Sequence, residues 1–262
     1  MMKQMIDNAI NDFVVGYCSE RGLVGFWRRA IVKFVDANHP ELPRLKDLVT
    51  DTHHLPGDFL PDPKIIILYF LPFSREAVQS NKAGRYASEQ WVKSYLLSKS
   101  LLAAIDTCVM DLLRRAGSRA VRPVFPSYIG EGMYKSGWSY RHIARLGGMG
   151  TFGLHNMLIT ERGSCGYYSS VVTDLAVDPD TPLAKERCLY KRDGSCGACV
   201  KRCVAGALTI DGFDRVKCHA MCMENAEHHG GSMGGLADAC GKCLVGLPCS
   251  MGNPAALLPP SL

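Results

Sequence analysis

The sequence predicts an α+β chain, with a sheet domain over residues 1–182 followed by a small cysteine-rich module over 183–262. Three observations predict it. Lys64-Ile-Ile-Ile-Leu-Tyr-Phe70 is a continuous β-branched and aromatic run, the pattern of a buried central strand. Ser88 to Ala116 returns apolar residues at helical spacing over its whole length. Nine of the twelve cysteines crowd between Cys188 and Cys249. The length of 262 residues suits one large domain or a domain plus a small module, and 47% hydrophobic residues suffice for a substantial core.

Met1 to Cys18 forms an amphipathic helix through Met5, Ile6, Ile10, Phe13 and Val14, and Arg21-Gly22 stops it. Phe26 to Val35 fits either a strand or a short helix. From Asn38 to Pro63 the chain is punctuated by prolines and reads as loop. The central strand follows and ends at Pro72. In the long helix, Val92, Tyr95, Leu96, Leu102, Ile105, Val109, Leu112 and Leu113 share a stripe, Cys108 lies beside it as a core thiol, and Gly117 is the stop. Arg119 to Val124 is expected to form the next strand, Trp138 to Leu146 a helix, Met157 to Thr160 a strand, and Ser169 to Val177 the last strand. Asp178-Pro-Asp-Thr-Pro182 marks the domain boundary. His53-His54 and His228-His229 are adjacent pairs whose side chains point apart, so they are expected in solvated loops rather than on a metal.

The cysteines carry the strongest chemical signal. Cys196-Gly-Ala-Cys199 and Cys240-Gly-Lys-Cys243 are two C-x2-C steps about forty residues apart, flanked by Cys188, Cys203, Cys218, Cys222 and Cys249. Long-loop disulfides fit such clumps poorly. One tetrahedral zinc site on the two C-x2-C pairs leaves Cys188, Cys203, Cys218 and Cys249 unexplained. Two 4Fe–4S clusters need eight thiolates, and in two-cluster ferredoxins the last cysteine of each run ligates the other cluster. That rule assigns Cys188, Cys196, Cys199 and Cys249 to one cluster, and Cys203, Cys218, Cys240 and Cys243 to the other, with Cys222 competing for the place of Cys218. The run departs from the usual spacing, which wants a cysteine at Asp193 and a proline at Val204. Val204 to Ile210 is expected to form the short helix and strand that follow such a run.

Lysine and arginine number 30 against 25 acidic residues, a net charge of +5 that permits an acidic partner or nucleic acid without arguing for either. The longest apolar run, Ile65 to Leu71, is too short to span a bilayer. The N-terminal helix lacks the pattern of a signal peptide, and abundant thiols suit a reducing cytoplasm. Gly148-Met-Gly150-Thr-Phe-Gly153 spells G-x-G-x-x-G, but a helix precedes it and a strand follows, the reverse of the dinucleotide-binding context. The glycines there suit tight turns or close backbone approach to a flat ligand.

Together these residues resemble the epoxyqueuosine reductase family and, more distantly, the reductive dehalogenases. The resemblance rests on Arg141-His142, Gly147-Gly-Met-Gly-Thr-Phe-Gly153, Leu154-His-Asn-Met-Leu-Ile-Thr160, Val171-Val-Thr-Asp-Leu175, the strand after Leu60-Pro-Asp-Pro63, and the cysteine module. It runs from about Leu55 to Pro254 and is nearest to short members that lack a C-terminal helical repeat. It implies a nitroreductase-like sheet domain holding cobalamin, followed by a two-cluster ferredoxin-like domain. It also implies a cytoplasmic reductase supplied by a donor such as ferredoxin or flavodoxin, acting on a small molecule or a modified nucleoside. Arg141, His142, Gly148, Gly150, Gly153, His155 and Asn156 are then the cofactor-binding candidates. The acidic proton donor of the queuosine enzymes falls on or near Tyr134, within Glu131-Gly-Met-Tyr-Lys-Ser136, where no aspartate is present. Tyr134 is the catalytic candidate and Glu131 the alternative. The stretched Cys243-x5-Cys249 spacing is a second departure. Two rival readings are a two-cluster electron-transfer protein without a corrinoid and a zinc-ribbon module that binds nucleic acid.

Overall fold

A computed structural model describes residues 1–125, 127–130 and 133–257, without the side chains of 127–130, 133, 134 and 257. The chain opens with α1 (Met2–Glu20), then β1 (Ile31–Asp36), the short α2 (Leu45–Leu48) and β2 (Ile65–Pro72). Next come α3 (Arg75–Ser80), the long α4 (Glu89–Arg115), β3 (Ala120–Val121), and the hairpin β4 (Ser127–Gly130) and β5 (Met133–Ser136). The second half of the sheet domain holds α5 (Tyr140–Leu146), the hairpin β6 (Gly150–Phe152) and β7 (Leu158–Thr160), and β8 (Gly166–Thr173). The cysteine-rich part holds α6 (Leu189–Asp193), α7 (Ala198–Lys201), α8 (Arg215–His229) and short 3-10 turns.

Four strands form the main sheet in the order β1-β2-β8-β3, every neighbour antiparallel. All eight residues of β2 are buried because both faces of the sheet are covered. Side chains alternate across a strand, so Ile65, Ile67, Tyr69 and Leu71 pack against α1 and α4. Ile66, Leu68 and Phe70 pack on the other side with Trp138, Ile143 and Leu146. The continuous apolar run is therefore a record of two covered faces, and antiparallel pairing is compatible with it.

Local chemistry sets the element ends. Ser88 accepts the Trp91 N–H and caps α4, whose first turn carries Glu89 and whose last carries Arg114 and Arg115, matching the helix dipole at both ends. The undecided stretch after Phe26 resolves as β1, held by six paired positions on β2. The strand expected over Arg119–Val124 shrinks to Ala120–Val121, where Pro123 has no N–H to extend the ladder. The last strand starts earlier than expected, at Gly166, and stops at Thr173, where Asp174 turns its carboxylate onto the Arg119 N–H and guanidinium. After Cys203 no helix forms: the chain makes a turn and one isolated bridge, Leu208 to Phe213. His53 corrects the solvated-loop expectation. It is 1% exposed, stacks on Trp138 and accepts the Ser139 N–H at Nε2. His228 stacks on Tyr86, and His229 donates to the Ala87 carbonyl.

The cysteine-rich part packs on the sheet domain through Phe73, Ala77, Val78, Trp91 and Val92 against Ala237, Ala239, Leu244 and Val245. Arg28 fastens the same junction, donating to the carbonyls of Phe73, Arg162 and Met251. No helix among the described residues is long and apolar enough to cross a membrane.

Candidate functional site

Cys188 is the N-cap of α6, Cys199 lies in the single turn of α7, and Cys196 sits in the loop between them. Cys249 returns from the C-terminal end, its carbonyl accepting the Ser164 N–H at 3.0 Å. These four thiols face one small cavity shared with Leu154, His155 and Tyr190. Burial, reinforced by the other three thiols, pushes Cys249 up to about 12. Burial likewise pushes Cys199 up to about 11, with Cys188 and Cys196 adding to it.

The second group gathers at a larger cavity. Cys203 follows α7, Cys218 and Cys222 stand one turn apart on α8, and Cys240 and Cys243 flank the Gly241-Lys242 turn. Burial first, and then Cys240, Cys218 and Cys203, raise the Cys243 thiol well above its ordinary value. Within the α8 pair, Cys222 keeps its proton and shares it with Cys218, which is lowered by that hydrogen bond. The two groups meet where Cys199, Cys203, Cys243 and Cys249 pack with Leu208 and Leu247.

Among the described residues, no three His, Cys, Asp or Glu side chains close around the position of a single ion. Buried thiols gathered in fours raise one another's pKa, and a bound cation that replaces their protons relieves this. Soft sulfur donors of this kind suit iron–sulfur clusters or zinc, and the four-plus-five grouping supplies the eight thiolates that two cubane clusters take. The donor sets fit the implied groups.

The larger cavity, about 710 Å³, opens between the cysteine-rich part and the α5 to β7 region. Arg141, His142, His155 and Asn156 all line it, together with Phe152 and Met157. Arg141 donates to the Asn156 carbonyl at 2.6 Å and to the Met157 sulfur, which fixes the β6–β7 loop against α5. His142 Nδ1 pairs with the Ser139 hydroxyl at 2.7 Å, and burial with the nearby Arg141 pushes it down to about 4, so the ring is neutral. Asn156 holds φ +61 at the loop tip, a conformation its short polar side chain tolerates.

The three glycine candidates do not line this cavity. A Cβ on Gly148 would collide with the Thr181 carbonyl, and one on Gly150 would meet the Ile159 carbonyl oxygen at 2.5 Å across the hairpin. A Cβ on Gly153 would strike the His155 ring at 2.6 Å. Their close approaches are to protein. Tyr134 pairs through its backbone with Ile129 on the β4–β5 hairpin, its side chain lies outside the described part, and Glu131 lies outside the described residues. Lys191, Arg215 and His219 bring further polar groups to the cavity wall, and no motif in the sequence points to them. The same holds for Lys242, 1% exposed, whose ammonium donates to the carbonyls of Asn81 and Ala83. Arg215 and His219 stand one turn apart on α8 and Lys242 sits inside the second C-x2-C step, but basic residues at such places are ordinary, and only the fold brings them to one cavity with Lys191.

The chain is similar to known proteins in sequence and in fold. The chain is 28% identical to the epoxyqueuosine reductase of Listeria monocytogenes, over 81% of this chain and 56% of that protein. It thus spans a little over half the length of this curated relative. A solved epoxyqueuosine reductase with a tRNA-Tyr epoxyqueuosine-modified stem loop superposes with a TM-score of 0.55 at 16% identity, covering 93% of this chain and 67% of that one. The Bacillus subtilis epoxyqueuosine reductase superposes with a TM-score of 0.53 at 16% identity and the same coverage. The chain has the epoxyqueuosine reductase fold. No protein-family model matches it.

Proposed function

We propose that this chain is an iron–sulfur and corrinoid-dependent reductase of the epoxyqueuosine reductase kind. One observation carries the reading. The thiols of the second group and Arg141, His142, His155 and Asn156 line one and the same cavity, so a flat cofactor bound there would lie near a cluster held by those thiols. Cys188, Cys196, Cys199 and Cys249 would hold one 4Fe–4S cluster. Cys203, Cys240, Cys243 and Cys218 would hold the second. When bound, the clusters supply single electrons and the corrinoid a low-valent cobalt for reducing an organic substrate.

The chain's own residues do the rest. The neutral His142 and the tethered Arg141 offer hydrogen bonds to the amide side chains of a corrin. The apolar faces of Phe152 and Met157 keep water off it. Tyr134 is the proposed general acid that protonates the product. The proposed substrate class is a modified nucleoside, after the stem loop that one solved relative holds. The electron donor is a small redox protein such as ferredoxin or flavodoxin, and the setting is a reducing cytoplasm.

Anaerobic purification with analysis for iron, acid-labile sulfide, zinc and cobalt tests this, followed by titration with added cobalamin. About eight irons per chain and saturable cobalamin binding are expected. Colourless, zinc-loaded protein overturns it. An iron-loaded chain that binds no cobalamin is instead an electron-transfer protein.

A further inference from the structure

His155 lines both cavities, and its two ring nitrogens are already engaged. Nδ1 accepts the Met157 backbone N–H at 3.2 Å, so it carries a lone pair rather than a proton. In a ring of that tautomer the proton sits on Nε2. Nε2 lies 3.4 Å from the Cys249 sulfur, within reach of an N–H···S hydrogen bond. The residue is 6% exposed, so water does not compete for that proton. Gly153 makes room for it, since any side chain there would occupy the space of the imidazole. The third glycine of the G-x-G-x-x-G run is therefore explained by the histidine two residues on.

We infer that His155 is a positioning residue for the first iron–sulfur cluster, donating from Nε2–H to the Cys249 thiolate and raising that cluster's reduction potential. The inference rests on the reading of Cys249 as a cluster ligand. Adding an electron to a cluster increases the negative charge on its sulfurs, so a donor fixed at one of them stabilises the reduced form more than the oxidised form. Hydrogen bonds to the sulfurs are among the factors that set such potentials. Because the same ring faces the larger cavity, it also lies between the first group of thiols and whatever that cavity holds.

The test is an EPR-monitored redox titration of the intact, anaerobically purified protein and of two variants. His155→Phe keeps a flat ring and removes the donor. Gly153→Ala keeps the imidazole and displaces it. Each is expected to lower the potential of the first cluster by about 59 mV, a tenfold change in a one-electron equilibrium, with the second cluster unmoved and iron content unchanged. Unchanged potentials in iron-replete variants overturn the inference. Wild-type protein labelled with 15N-histidine gives a measurement independent of folding in the variants. A nitrogen hyperfine coupling to the reduced first cluster, from a non-ligating ring, is expected, and its absence also overturns the inference. Protein without iron and sulfide refutes the cluster reading itself, a different outcome.

Discussion

The carboxyl of Asp106, in the middle of α4, accepts the Ser169 hydroxyl of β8 at 2.8 Å, and Tyr69 of β2 donates to the same oxygen. Its other oxygen faces Arg122 at 3.9 Å. Asp106 is 2% exposed, and burial outweighs the hydroxyl and the guanidinium, pushing its pKa up to about 7. It is an ionisable group inside the packed layer between helix and sheet.

A pH dependence follows. The folded chain keeps the Asp106 proton up to about pH 7, whereas an unfolded aspartate gives it up near pH 4. Between those values the native state binds more protons, so this group's contribution to stability falls as pH rises and levels off above 7. Asp106→Asn is expected to remove that slope and to stabilise the protein at pH 8 by a few kcal/mol, because each tenfold change in proton affinity is worth about 1.4 kcal/mol. Urea midpoints at pH 5.5 and pH 8 measure it. The comparison is with wild type, because the lowered histidines His142 and His155 give a slope of opposite sign: they lose stability as pH falls through 6.5 toward 4. Identical slopes in the two proteins would rule out Asp106 as the source.

Gly241 is held at φ +67 against Trp91, where a Cβ would overlap the indole. Trp91 is 4% exposed and has no room to retreat. Gly241→Ala is expected to cost about 3 kcal/mol from left-handed strain and overpacking together. Because Gly241 separates Cys240 from Cys243, iron content should fall with it. Denaturation and metal analysis of the variant give both numbers.

The thiol groups predict a pattern of iron loss. Cys196→Ser should remove the first cluster and Cys240→Ser the second, each leaving about half of the iron. Cys222→Ser should leave iron unchanged while Cys218→Ser does not. Reversed results for the last two variants would make Cys222 the ligand, since both face the cavity from one side of α8.

Lys242 tests the junction between the two parts of the chain. Its ammonium caps the Asn81 and Ala83 carbonyls at 3.0 and 2.6 Å, holding the loop after α3 against the cysteine turn. Lys242→Met leaves both carbonyls without that donor and should cost about 2 kcal/mol. It should also loosen Cys240 and Cys243, read as faster loss of iron to a chelator.

Residues close in sequence carried much of this organisation by themselves. The β2 run, the stripe and caps of α4, and the clumped cysteines each declare themselves within a short window, because period and spacing are local properties. The spacing of the cysteines points to metal capture from the sequence alone. Only the tertiary structure decided the rest. β1 became a strand because β2 offered it a ladder, and β3 stayed short because Pro123 could not extend one. His53 is buried because Trp138 covers it from 85 positions away. In sequence the glycines suit either tight turns or close approach to a flat ligand, and the fold sets them against the Thr181 carbonyl, the β6–β7 hairpin and the His155 ring. The meeting of His155 with Cys249 joins residues 94 positions apart. No local pattern encodes such a contact, because it exists only once the sheet domain and the cysteine turns have packed against each other.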